Sequence, residues 1–349
     1  MLAPLLLGAA LSDARACAPA PTPAPALVRG DVISDILIDV HEALHARKFA
    51  QLDDWAASYA RPGQPKLSVS KISAFYDAID VGYYCGQKLD QAELNAHRQL
   101  FIDWAKVSSA PAVPVIAHAK LETAVAWEAR GGGFAHTVTP EGWTKFRAGQ
   151  ARAEALLRSV EAGGRAHAAW FSEMLTLGTE QGWNLAQYDA IFNAAVAAFP
   201  DRYGFYDDKS RYLDARWHGS DEMLKDFVEQ AVKAKGGDDG KFLYARLYLS
   251  RSAPDLFTSG RADWPRMKEG LEVVIKRFPE KVNRMAYARF ACLANDWEAF
   301  DIQAAIVADR MMGKLDGTLM YDYYKCLRKR ERDLWDADMK RRRADHTGK

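Results

Sequence analysis

The sequence predicts an all-α protein in which tetratricopeptide-like antiparallel helical hairpins stack as an irregular solenoid. Apolar residues recur at spacings of three and four along most of the chain, which is the period of amphipathic helices. Glycines and capped prolines divide that pattern into segments of hairpin length. Alternation of apolar and polar residues, the pattern of a half-buried strand, is scarce.

The body of the chain begins with two amphipathic helices, predicted over residues 31–59 and separated near Arg47. The hydroxyl of Ser70 can cap a third helix, which we expect to continue to Tyr84. A fourth helix is predicted over residues 90–106, where apolar side chains again recur at helical spacing.

Glycine and proline mark the turn between the fifth and sixth predicted helices. The fifth helix is expected to end at Arg130, because Gly131 readily adopts the conformation that stops a helix. Thr139 can cap the sixth helix. Pro140 suits its first position, because proline fixes a helical φ and lacks an N–H.

Later segments repeat one order of elements. Helices over residues 166–182 and 185–199 are predicted to form an antiparallel pair. A Phe-Pro dipeptide begins at residue 199 and another at residue 278, and an aromatic helical segment follows each. Since one hairpin cannot bury its apolar face alone, we expect such units to stack on their neighbours.

The amino terminus differs in composition from the body. An apolar segment followed by Ala14-Arg15-Ala16 predicts a signal peptide over residues 1–16. The Pro/Ala-rich residues 17–30 are predicted to be a tether, with Cys17 as a candidate lipid anchor. These features favour a periplasmic or secreted location.

The remaining residues are divided by charge. We expect one helical-repeat domain over residues 31–330 and a charged end of the last helix over residues 331–349. The whole chain has 47 basic and 46 acidic residues, so no global field would recruit nucleic acid. No stretch reaches the roughly 18–20 apolar residues of a transmembrane helix, and we expect neither a transmembrane segment nor a cofactor.

The four cysteines include no Cys-x-x-Cys pair, which argues against a metal site built from cysteines. Cys292 and Cys326 lie in aromatic-rich helical segments and are a candidate disulfide in an oxidising compartment. The alternative is that both are buried free thiols that pack as small hydrophobic side chains.

The segment from His41 to His45 matches the zincin pattern, in which two histidines one helical turn apart bind zinc and the glutamate between them, here Glu42, activates water. The third ligand would be His97 or Glu93, and nothing in the spacing selects either. The alternative is that both motif histidines are solvated side chains beside the buried face of a helix.

Several tryptophans stand beside a charged or polar residue. Indole supplies apolar area and a directional N–H, so such pairs are typical of grooves for a peptide or a sugar. A structural role is the alternative, with Arg130 paired to a buried carboxylate and tying two hairpins together. The candidate partner-binding or structural residues are Trp127, Arg130, Trp143, Trp217, His218, Asp263 and Trp264.

Five short segments contain aromatic residues, and four of them combine these with glycine, arginine, lysine or aspartate. They are Ala126-Trp127 with Arg130-Gly131, Trp143 with Phe146, Arg216-Trp217-His218-Gly219-Ser220, Asp263-Trp264 with Met267-Lys268, and Phe290-Ala291-Cys292 with Asp296. Together they resemble a bacterial family defined by a domain of unknown function, number forty thirty-four. His218 departs from it, since the family more often has glycine there. The resemblance implies a helical, tetratricopeptide-like fold in bacterial proteins that are often exported, and it transfers no catalytic residue.

The leading hypothesis is a non-enzymatic helical-repeat protein of the bacterial envelope that binds a peptide or protein partner. It depends on the repeated hairpins and on the lack of a complete catalytic motif. One alternative is an envelope hydrolase, either a zinc peptidase using His41, Glu42 and His45 or a site near Arg130 and His218. The other is a toxin-neutralising binding protein, which rests on fold analogy alone.

Overall fold

A computed structural model describes residues 30, 32–61, 70–79, 90–249, 255–308 and 317–347. The predicted signal peptide over residues 1–16 and the candidate lipid anchor Cys17 lie outside the described residues, as does the predicted tether apart from Gly30. These assignments stay predictions.

All regular structure in the described residues is helical, which confirms the all-α prediction. The stacking of hairpins into a solenoid stays a prediction. The first helices are α1 (Val32–His45), α2 (Phe49–Ala60), α3 (Lys71–Ala78), α4 (Gln91–Val107), α5 (Ala112–Arg130), a 3₁₀ helix (Ala135–Thr137), α6 (Pro140–Ser159) and α7 (Glu161–Gly164). They are followed by α8 (Ala168–Gln181), α9 (Leu185–Ala198), α10 (Gly204–Tyr212), α11 (Asp221–Lys235), α12 (Gly237–Leu249), α13 (Trp264–Arg277), α14 (Lys281–Leu293), α15 (Trp297–Ala308) and α16 (Gly317–Thr347).

Two compact units make up the described chain, and the division falls within α11, between Phe227 and Val228. Helices α1 to α10 belong to the amino-terminal unit, and α12 to α16 belong to the carboxy-terminal unit. The boundaries expected for a single repeat domain, residues 31–330, stay a prediction. Among the helices described, none has both the length and the apolar character needed to cross a membrane.

Local capping sets several helix ends where the sequence predicts them. Arg47 has a φ of 57° and turns the chain between α1 and α2. Gly131 has a φ of 77° and ends α5, a conformation that glycine adopts without a steric penalty. At the start of α6 the Thr139 hydroxyl accepts a hydrogen bond of 3.0 Å from the Gly142 N–H.

Helix α3 is shorter than predicted. Its cap is confirmed, because the Ser70 hydroxyl accepts a hydrogen bond of 3.2 Å from the Ser73 N–H. The expected continuation to Tyr84 is wrong, since the helix ends at Ala78. The residues that follow include β-branched side chains and a glycine, which have low helix propensity. Residues 80–89 lie outside the described stretches.

The two Phe-Pro dipeptides end their helices in the same way. Phe199 has φ −135° and ψ 70°, and Phe278 has φ −136° and ψ 79°. Proline restricts the preceding residue to extended conformations, so the dipeptide itself ends each helix. The sequence similarity between these segments therefore corresponds to a shared backbone turn.

Helices α5 and α6 form a closely packed hairpin in the amino-terminal unit. A Cβ added at Gly149 on α6 would lie 2.7 Å from the Cβ of Ala126 on α5. The glycine therefore lets the two backbones approach closely, as small residues do in helix pairs. This contact fixes the spacing of α5 and α6, which supply most of the lining of a cleft in the amino-terminal unit.

Candidate functional site

Three of the predicted site residues meet at the end of the α5–α6 hairpin. The Arg130 guanidinium carbon lies 4.9 Å from the ring centroid of Trp127 and 5.1 Å from that of Trp143. The same side chain donates hydrogen bonds of 3.0 Å to the carbonyls of Gly131 and Gly133. Arg130 is thus held between two indole rings, a cation–π arrangement, and it satisfies carbonyls beyond the helix end.

The polar edge of Trp127 is engaged as well. Its indole N–H donates a hydrogen bond of 2.7 Å to Glu180 on α8, and the Gln150 amide donates to the other oxygen of that carboxylate. Burial lowers the pKa of Arg130, and the charge of Glu180 acts in the opposite direction. Glu180 therefore joins the hairpin to α8 through Trp127 and Gln150. The hydrogen bonds of Arg130 go to backbone carbonyls, so its pairing with a buried carboxylate stays a prediction.

Trp217 and His218 lie in the turn between α10 and α11. The His218 ring contacts the carbonyl of Thr179 through Nε2 at 2.6 Å and lies 5.0 Å from the ring of Tyr212. Its ring is 6.2 Å from that of Trp217. Thr179 precedes Glu180 on α8, so both predicted clusters contact consecutive residues of one helix.

Asp263 and Trp264 lie in the carboxy-terminal unit, where they begin α13. The Asp263 carboxylate accepts a hydrogen bond of 2.9 Å from the Arg266 N–H, as an N-cap does. The Trp264 indole N–H donates to Asp296 at 3.0 Å, and Lys268 contacts the same oxygen at 2.8 Å. These contacts tie the start of α13 to the start of α15.

The zincin-like histidines lie close to a third histidine. The ring of His45 is 4.5 Å from that of His41 and 5.2 Å from that of His97. Burial lowers the pKa of all three, to about 4 for His97. Within the described residues no group of three or more histidine, cysteine, aspartate or glutamate side chains is placed to hold a metal ion.

Two expectations about this motif need correction. Glu93 is not placed as a third ligand, because its carboxylate accepts a hydrogen bond of 2.8 Å from the Asp90 N–H and completes the capping box of α4. The interpretation of His41 as a solvated side chain is wrong, since it is half-buried and its Nδ1 atom is enclosed. The reason is that α1 packs against α3, which covers that side of the helix.

Cys292 on α14 and Cys326 on α16 are joined by a disulfide, with their Cα atoms 6.0 Å apart. Both residues are buried. Of the two interpretations that the sequence left open, the structure has the paired one. The bond connects the last helix to the core of the carboxy-terminal unit.

A cleft that the sequence did not predict opens in the amino-terminal unit between α4, α5 and α6. Its volume is about 840 Å³, within the range of ligand pockets. The apolar lining consists of Leu94, Val125, Ala129, Ala148, Ala155 and Leu156. The polar lining consists of Gln91, Arg98, His118, Glu122, Lys145, Arg152 and Ser159.

Glu122 organises the polar side of the cleft, although it is only 1% exposed. Arg98 contacts both of its carboxylate oxygens, at 2.5 and 2.9 Å. Arg152 donates from Nε at 2.8 Å, and His118 lies at 3.6 Å. One buried carboxylate thus connects side chains from three helices, which is the pairing that a buried charge requires.

The electrostatics of Glu122 follow from these contacts. Burial acts to raise the pKa of its carboxyl group. The contacts with His118, Arg98 and Arg152 outweigh burial and hold the pKa well below its usual range. Glu122 is therefore charged under physiological conditions and fixes the orientation of both guanidinium groups.

Arg152 is the part of this network that faces solvent. Its side chain is 50% exposed, and it reaches Glu122 through Nε. Its two Nη atoms have no partner among the described residues. Lys145 lies two helical turns earlier on the same face and pairs with Glu141 at 2.7 Å. The cleft therefore presents one guanidinium edge beside an apolar wall.

The chain matched no protein-family model, no curated protein and no solved structure in three comparisons. The resemblance to family number forty thirty-four stays a prediction.

Proposed function

We propose that this chain is a non-enzymatic helical protein of the bacterial envelope that binds a peptide or protein partner in the cleft between α4, α5 and α6. The proposal rests on the cleft, because the cleft combines an apolar wall with the guanidinium edge of Arg152, which has no partner within the part of the chain that the structure describes. Apolar area with a few oriented polar groups is the usual composition of a binding site.

The predicted tryptophan clusters fit the structural alternative better than the ligand-binding one. The polar atoms of Trp127 and Trp264 bind carboxylates of neighbouring helices, and Arg130 binds carbonyls of its own turn. A ligand at these places would have to displace contacts that hold helices together. In the cleft, a ligand could bind the Nη atoms of Arg152 without displacing a contact between helices.

The disulfide between Cys292 and Cys326 supports an envelope location. Such bonds persist in oxidising compartments and are rare in the reducing cytosol of most bacteria. The periplasmic or secreted location nonetheless remains part of the proposal, together with the predicted signal peptide. Export of the native chain with the two thiols already oxidised in the cell would support it.

Site-specific photocrosslinking tests the proposed function. A photoreactive amino acid replaces Ala148, which is exposed and lines the cleft. The matched control carries it at Leu185, which is exposed on α9 and does not line the cleft. We expect a discrete peptide or protein adduct from position 148 and none from position 185. Identical adducts at both positions, or saturable turnover of a substrate without any adduct, would contradict the proposal.

The zinc peptidase is the alternative with one observation in its favour, the proximity of the His41, His45 and His97 rings, although no group of the described side chains is placed to hold a metal ion. Its test is metal analysis of the purified protein together with a peptidase assay. Stoichiometric zinc, with peptidase activity that disappears in Glu42→Ala, would replace the binding proposal by the hydrolase. The toxin-neutralising alternative stays a prediction.

A further inference from the structure

We infer that the cleft recognises the free carboxylate at the C-terminus of a short apolar peptide segment, with Arg152 as the residue that binds it. This inference rests on the proposed function and specifies the partner of the same site. It follows from the geometry of Arg152, the charge of the cleft and the shape of its wall.

The first step is the geometry of Arg152. Glu122 holds its Nε atom, so the side chain is already oriented before a ligand arrives. Arg152 lines the cleft, and its two Nη atoms have no partner among the described residues, so their N–H groups are available to a ligand there. A guanidinium edge of this kind matches the two oxygens of a carboxylate, whereas a lysine would offer only a point charge.

The second step is the charge balance. Arg98 and Arg152 share the single carboxylate of Glu122, which leaves one positive charge uncompensated. Lys145 does not add to that excess, because it is paired with Glu141. A ligand with one negative group therefore complements the cleft, and a cationic ligand would be repelled.

The third step is the wall. Three of its six apolar residues are alanines, at positions 129, 148 and 155. Such small side chains leave room for a peptide backbone to lie close to the helices. The volume of about 840 Å³ suits a few residues rather than a long helix. A chain end brings a carboxylate with few residues behind it, so it fits this volume better than an internal acidic residue.

The experiment uses two arrays of the same randomised hexapeptides, one with free C-terminal carboxylates and one with C-terminal amides. The full-length protein is applied as wild type, as Arg152→Gln and as the matched control Arg147→Gln. Arg147 is exposed on the same helix and does not line the cleft. Thermal unfolding of each variant checks that it is folded, and Arg152→Lys supplies a second variant that keeps the charge.

We expect wild type and Arg147→Gln to bind the carboxylate array and to prefer apolar final residues. Affinity should fall about ten- to hundredfold in Arg152→Gln, the loss expected for a charge-assisted hydrogen bond. The affinity of Arg152→Lys should be intermediate, because lysine keeps the positive charge but lacks the two parallel N–H groups of a guanidinium. Binding to the hits should weaken as salt increases.

Three results would overturn the inference, and they differ in what else they contradict. Equal binding to both arrays would show that the cleft does not recognise the free C-terminal carboxylate, while the proposed function would still stand. Binding to neither array contradicts both the inference and peptide binding as the function. A fatty acid also combines one carboxylate with an apolar chain, so calorimetric titration with decanoate tests whether the cleft binds that class of ligand. Arg152-dependent binding of decanoate without peptide binding would identify the ligand as a fatty acid.

Discussion

Replacing Glu122 by glutamine should destabilise the amino-terminal unit strongly. The substitution keeps the shape of the side chain, removes its charge and places an N–H₂ group against two guanidiniums. Breaking a fully buried ion pair costs about 3–5 kcal/mol. Arg98 is only 20% exposed, but Arg152 is 50% exposed and can be solvated. We therefore expect a loss of about 2–4 kcal/mol in the free energy of unfolding near pH 7.

The loss should depend on pH in a definite direction. The pKa of Glu122 lies below its usual value in the folded protein, so its charge stabilises the fold above the pKa of the unfolded chain, ordinarily 4.5. That contribution decreases as pH falls below about 4.5. The difference between wild type and Glu122→Gln should accordingly be constant near neutral pH and shrink in acid.

Urea unfolding followed by circular dichroism, at several pH values, measures both effects. The matched control is Glu128→Gln, an exposed glutamate on the same helix, which should change stability by less than about 0.5 kcal/mol. If Glu122→Gln behaved like this control near neutral pH, the carboxylate would not be the anchor of the three helices. The geometry assigned to Arg152 would then fail with it.

Three further variants give distinct outcomes. Gly149→Ala should destabilise by about 1–3 kcal/mol in urea unfolding, although alanine favours helices, because the new Cβ would lie 2.7 Å from that of Ala126. Burial raises the pKa of Asp208 to about 7, so ionisation of this carboxyl group lowers the stability of the fold as pH rises from about 4 to 7. The free energy of unfolding of Asp208→Asn should therefore increase relative to that of wild type over this pH range. Removing the disulfide with Cys292→Ala and Cys326→Ala should cost about 3–4 kcal/mol in the chain-entropy account.

Each of these outcomes has a control or a contrary result. Gly163→Ala is the control for Gly149, since its added Cβ would have ordinary contact at 3.8 Å. The difference in the free energy of unfolding between Asp208→Asn and wild type has an upper limit of about 4 kcal/mol. We expect about half of that value, because the Asp208 side chain is 21% exposed. A pH-independent difference would refute its raised pKa. Unchanged melting after reduction of the wild type would show that the disulfide adds no stability.

The helix ends could be predicted because their signals are local. The break near Arg47, the stop at Gly131 and the cap at Thr139 depend on a few adjacent residues. The contact of Arg130 with Trp127 could also be predicted from the sequence, because the two residues are one helical turn apart. The end of α3 at Ala78 was missed because low propensity after it outweighed the apolar pattern.

The cleft could not be predicted, because its partners come from three helices and are far apart in sequence. Arg98 and Arg152 lie 24 and 30 positions from Glu122. One signal was present: α5 is apolar on nearly all sides, and 11 of its residues are buried. A glutamate within such a helix must find cationic partners, but the sequence does not say which ones.

The covalent bond between α14 and α16 closes a ring that contains the whole of α15. A protease that cuts any single peptide bond inside this ring would not release a fragment. The two pieces would migrate as one species on a gel until a reductant separated them, so a nicked molecule could keep its last helix attached.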